Sequence, residues 1–144
     1  MNKKIRMSKL RLNLMNMLAM REYSAYELSS KMKLKGYQQE AIEYEIESLQ
    51  NDGLQCDTRF AESMCRHYSS KGKGRLYVQQ YLFTKGVSKV IVSETINTFC
   101  WGQAIAIARR KLSNIQGPVL VKRLYARGFT LDEANEVASN KQDE

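Results

Sequence analysis

Apolar residues along this chain recur every three or four positions, the spacing that lines up one face of a helix, and sustained strand-like alternation is rare. Three segments share one layout, aligned on a glycine: YELSSKMKLKGY through Tyr37, YVQQYLFTKGV through Val87 and VLVKRLYARGF through Phe129. Eight residues before the glycine stands Leu28, Val78 or Leu120, and four before it Met32, Leu82 or Leu124. Immediately before it is Lys35, Lys85 or Arg127, and immediately after it Tyr37, Val87 or Phe129. The apolar pair shares a helical face. The base suits the negative end of the helix dipole. The glycine takes the left-handed conformation that ends a helix, and the next apolar residue folds back onto the last turn. Each segment therefore predicts a short helix stopped at Gly36, Gly86 or Gly128.

Helices are predicted on both sides of each segment. Six and ten residues past the glycines come Ile42 and Ile46, Val92 and Ile96, and Ala134 and Ala138, again one buried face each. Ser88 and Thr130 fit as N-caps, and Thr130-x-x-Glu133 and Ser24-x-x-Glu27 read as capping boxes. Upstream lie the stripes Leu10, Leu14, Met17, Leu18; Phe60, Met64, Tyr68, with Asp57 placed to cap; and Trp101, Ile105, Ala108, Leu112. Pro118 after Gly117 fits a first helical turn. The expected fold is all-α: three tandem three-helix, helix-turn-helix-like repeats covering 1–53, 54–99 and 100–144, the last ending in an acidic tail. Helices this short are unstable alone, so neighbouring triplets should pack together.

Composition supports a folded helical chain: of 144 residues 43% are hydrophobic, with one Pro and eight Gly. No apolar run approaches the roughly 20 residues that cross a bilayer, and the basic N-terminus leads into no signal-peptide core. A cytoplasmic protein without membrane contact is expected. Cys56, Cys65 and Cys100 are irregularly spaced and read as small hydrophobes, and Cys65 with the single His67 makes no metal site.

Charge changes the picture more. Residues 1–62 carry ten bases and nine acids, residues 63–131 twelve bases and one acid, Glu94, and residues 132–144 are acidic by four. Such segregation points to a polyanion or an acidic protein face as partner. The candidate contacts are Arg66, Lys71, Lys73, Arg75, Lys85 and Lys89, and a second patch of Arg109, Arg110, Lys111, Lys122, Arg123 and Arg127. Tyr77 is an aromatic candidate for stacking among them, with Tyr68 and Tyr81 nearby. Stacked triplets would join the two patches into one stripe.

The run DTRFAESMCRHYSSKGKGRLYVQQYLFTKGVS, Asp57 to Ser88, resembles the central motif of the RecX family, regulators of the RecA recombinase. Asp57, Arg59, Phe60, Ala61, Arg66, Gly74, Leu82, Lys85 and Gly86 stand where that motif wants them. REYSAYEL, Arg21 to Leu28, is similar to the family's opening segment, and KRLYARGFTLDEA, Lys122 to Ala134 and including Gly128, to its closing one. Val87 replaces the frequent Ile, and NTFCWGQ is unusually aromatic. The resemblance spans about residues 10–138. It implies an elongated, curved chain of three-helix repeats lying in the groove of the RecA–single-stranded DNA filament. It further implies limits on filament growth, ATP hydrolysis, strand exchange and repressor cleavage.

Catalysis has little support. Gly72 and Gly74 are followed by Arg75 between helical flanks, so SSKGKGR matches neither a Walker loop nor a dinucleotide fingerprint. The Glu40, Glu43, Glu47 series reads as a solvated helix face, and no nucleophile–base pair stands out. No enzyme activity, small-molecule substrate or cofactor is expected. Two functions stay open: a modulator of RecA filaments, and a stand-alone basic helical protein that binds single-stranded or duplex DNA without reading sequence. No helix offers an obvious base-reading face.

Overall fold

A computed structural model describes residues 7–142, and among these the regular structure is helical. The bases at positions 3, 4 and 6 and the acids at 143 and 144 lie outside the described residues. Among the described residues nine helices form three triplets: α1 (Lys9–Met20), α2 (Ala25–Leu34) and α3 (Gln39–Asn51); α4 (Asp57–Ser69), α5 (Arg75–Thr84) and α6 (Lys89–Thr98); α7 (Gly102–Lys111), α8 (Gly117–Ala126) and α9 (Leu131–Gln142). The glycine stops form as the spacing predicts. Gly36, Gly86 and Gly128 have φ of 91°, 72° and 100°, and the Tyr37, Val87 and Phe129 amides donate back to Met32, Leu82 and Leu124.

The helical stripes build two hydrophobic cores. Leu10, Leu14, Leu28, Met32, Ile42, Ile46 and Leu49 close the first triplet on itself. The second and third triplets share one core, in which Phe60, Val78 and Leu82 join Ala104, Ala108, Leu124 and Phe129. Each such large side chain withdrawn from water contributes about 1.5–3 kcal/mol. The aromatic stretch closes this joint: Trp101 is buried, caps α7, meets Phe99 edge-on at 4.7 Å and donates its indole N–H to the Ile96 carbonyl at 3.0 Å.

Both joints use one contact, repeated. Ser24 and Gly74 hold the N-cap positions of α2 and α5, and each meets the glycine turn of the next unit's middle helix. Ser24 Oγ donates to the Lys85 carbonyl at 2.8 Å. The Gly74 and Leu76 amides donate to the Arg127 and Gly128 carbonyls at 2.9 and 2.8 Å. The second joint adds the shared core, whereas the first is mainly polar. There Ala25 N–H donates to Asp57 Oδ1 at 2.9 Å, Gln55 Nε2 donates to the Tyr23 carbonyl, and Arg59 pairs with Glu22 at 3.2 Å.

Asp57 corrects one expectation. It is the first residue of α4, not its cap, and Cys56 holds the N-cap position without a side-chain bond. The carboxylate accepts from the amide at the start of α2 and from Gln55, so it clasps two units.

Candidate functional site

The glycine loop between α4 and α5 is a tight turn set against the third unit. The Gly72 and Lys73 amides donate to the Ser69 and Tyr68 carbonyls, and Gly72 turns with φ 77°. A Cβ on Gly72 would come 3.1 Å from Ile107 on α7, which fixes the loop against that helix. Lys111 Nζ donates to the Lys71 carbonyl at 3.2 Å. The basic last turn of α7, with Arg109, Arg110 and Lys111, thus adjoins Lys71; its charge suits the helix C-terminus. On the loop's other side, the Gly74–Arg127 bond sets Lys73 beside the turn that closes α8.

Aromatic rings continue from there. Lys73 Nζ lies 4.9 Å from the Tyr77 ring centroid. Tyr68 meets Tyr77 and Tyr81 edge-on at 5.1 and 4.9 Å, with His67 at 4.8 Å. Burial, with Tyr81 beside it, pushes the Tyr68 phenol above its ordinary pKa. Lys85 Nζ is 5.4 Å from the Tyr81 centroid. The series reaches the first unit through Arg21, stacked 3.5 Å over Tyr23, with Lys31 at 5.3 Å from the same ring. Cations from all three units and rings from the first two therefore follow one another in a band. Lysines and arginines so placed neutralise phosphates, and tyrosine faces accept unstacked bases.

The structure sorts the sequence candidates. Lys71, Lys73, Tyr77, Lys111 and Arg127 gather around the loop and the second joint, with Arg109 and Arg110 on the last turn of α7. Arg66, Lys89, Lys122 and Arg123 are exposed on α4, α6 and α8 and take no part in the contacts described. Arg75 and Lys85 are engaged within the protein. Arg75 pairs with Glu133 at 2.9 Å, and Lys85 lies 3.6 Å from Glu27. Burial pushes the Glu133 carboxyl up, but the Thr130 amide and the Arg75 guanidinium outweigh it and hold it below its ordinary value. Of the motif residues, Phe60, Ala61 and Leu82 are fully buried in the shared core, Asp57 and Arg59 tie the first joint, and Gly74, Gly86 and Gly128 make close contacts at the two joints. Arg21, Tyr23 and Lys31 escape sequence reasoning, because the first unit is nearly neutral overall. The Arg-x-Tyr pair was the one local signal.

Cys65 is buried, and desolvation pushes its thiol up to about 12, which leaves it an inert core residue. Among the described residues, no group of three or more His, Cys, Asp or Glu can hold a metal ion.

Comparison with known proteins places this geometry in a family. Family models described as "RecX, first three-helix domain" and "RecX, second three-helix domain" match residues 14–49 and 57–96. Regulatory protein RecX of Xanthomonas campestris pv. campestris (strain B100) is 35% identical over 125 residues, covering 80% of this chain and 76% of that one. Regulatory protein RecX of Haemophilus influenzae (strain PittGG) is 31% identical over 150 residues, covering 96% and 99%. A crystal structure of RecX from Lactobacillus salivarius superposes with a TM-score of 0.81 at 17% identity, over 94% of this chain and 96% of that one, and so shares the fold. With both three-helix signatures in chain order and relatives alike along most of its length, the chain belongs to the RecX family.

Proposed function

We propose that this chain is a cytoplasmic negative regulator of the RecA recombinase. It binds the RecA–single-stranded DNA filament through the basic and aromatic band. Binding limits filament growth and lowers ATP hydrolysis, strand exchange and repressor cleavage. Family membership supports the regulatory role, and the band supports the rest: its cations come from all three units and its rings from the first two, which suits a long polyanionic partner. The protein acts by binding, without catalysis, cofactor or membrane attachment. Among the described residues no helix is long and apolar enough to cross a membrane.

The test is a titration of RecA ATPase on single-stranded DNA. Inhibition is expected at protein levels well below those that coat the DNA. Inhibition only at saturating coverage would reduce the effect to competition for DNA. That outcome is the second reading, a nucleic-acid-binding protein acting alone. The interleaving of Tyr77, Tyr68 and Tyr81 with lysines favours it to the extent that such surfaces hold single strands unaided.

A further inference from the structure

Each joint of the middle unit is held by a capping-box glutamate with a second partner. Glu27 Oε1 accepts the Ser24 amide at 3.0 Å, and its Oε2 lies 3.2 Å from Arg21 and 3.6 Å from Lys85. Glu133 Oε1 accepts the Thr130 amide at 2.9 Å, and its Oε2 takes both Nε and a terminal nitrogen of Arg75, at 3.2 and 2.9 Å. An outer unit thus reaches a base at each end of α5 in the middle unit. The cap itself needs one carbonyl-type oxygen and no charge, since glutamine serves at that position as well. The negative charge at both sites suits the positive end of the helix dipole, and it also neutralises the cations beside it.

We infer that Glu27 and Glu133 are latches that set the polyanion affinity of the band. In the free protein they mask Arg21, Lys85 and Arg75, and a polyanion on the band draws these cations away. The inference rests on the band being a polyanion surface, as proposed above. Lys85 and Arg75 each keep 32% of their side-chain surface in solvent, so the pairs are open to competition from phosphates. Release has different results at the two joints. The second retains its hydrophobic core. The first is held mainly by polar contacts, and the Lys85–Glu27 pair crosses it, so freeing Lys85 loosens it, and binding becomes coupled to the set of the first unit against the second.

The test uses Glu27→Gln, Glu133→Gln and the double variant, which keep the capping boxes, with an oligothymidylate single strand and no recombinase. Each single variant is expected to bind about three- to fivefold more tightly at low salt, with the effects adding in the double. The Ala25 amide, whose acceptor Asp57 lies across the first joint, should exchange faster in the wild-type complex than in the free protein. In free Glu27→Gln it should already exchange at the faster rate. Unchanged affinity in the variants, or tighter binding with no change at Ala25, would overturn the latch while leaving the polyanion surface standing. No salt-dependent binding by the wild type would remove both the latch and the DNA part of the band reading, and the ATPase titration would then judge the filament-directed role separately.

Discussion

Gly128 and Gly74 at the second joint and Gly36 at the leading end differ in what an added methyl group would meet, and that separates strain from collision. At Gly128, φ is 100° and a Cβ would lie 2.6 Å from the Tyr77 amide nitrogen, so both backbone conformation and space forbid a side chain. At Gly36, φ is 91° with nothing among the described residues within 4 Å, leaving strain alone. Gly74 is the reverse: its φ of −94° suits any residue, but a Cβ would come 2.7 Å from the Gly128 carbonyl and the Phe129 amide. Urea unfolding should rank the alanine variants accordingly. Gly128→Ala should lose about 3 kcal/mol or more, Gly74→Ala about 1–3, and Gly36→Ala about 1. A loss at Gly36→Ala equal to that at Gly128→Ala would show that the joint contact carries no energy. The helix stops were legible because a base, a glycine and an apolar residue are local neighbours whose chemistry repeats. The reason for Gly74 was not, since what crowds it belongs to the following unit. Asp57 misled for a related cause: its position fits a cap, and only the fold brings the α2 amide within its reach.

Helical periodicity identified the buried face of almost every element, because one apolar stripe per helix is all a three-helix unit can bury. It could not say which units bury their stripes together. Leu28 and Leu82 both lie on the middle helix of a triplet, each fully buried, yet one belongs to a core of a single triplet and the other to a core spanning two. Leu28→Ala and Leu82→Ala should each cost about 2–5 kcal/mol of local stability. Amide exchange should show the difference in extent. Leu28→Ala is expected to lower protection through α1–α3 and leave α4–α9 largely intact. Leu82→Ala should lower it throughout α4–α9. Protection lost over the whole chain in both variants would mean that the polar first joint transmits folding as strongly as the shared core does.

Across the whole molecule, the run of like charge was legible, and sequence raised a continuous stripe only as a consequence of stacked triplets. Sequence separates Lys71 from Lys111; the structure sets the Lys111 ammonium on the Lys71 carbonyl. Sequence also counts Arg75 and Lys85 as available, since ion pairs with Glu133 and Glu27 join residues distant along the chain. The joined patch makes a specific demand. Charge reversal at Lys71 and Lys111 should weaken single-strand binding and flatten its salt dependence by about 0.7 for each phosphate no longer neutralised. Reversal at Lys89, exposed on α6 and outside those contacts, should leave that slope nearly unchanged. Equal flattening by all three would indicate a diffuse charge effect in place of a defined track.

The contact repeated at both joints, an N-cap set on the next unit's glycine turn, runs the same way each time. The units follow one another head to tail, and among the described residues the Gly36 turn at the leading end has no neighbour within reach of a Cβ. The protein consequently has a front and a back. A single strand also has direction, since its sugars run 5′ to 3′. Laying one along the other forward or reversed produces two different sets of contacts with different energies, so a bound molecule would point one way along its strand.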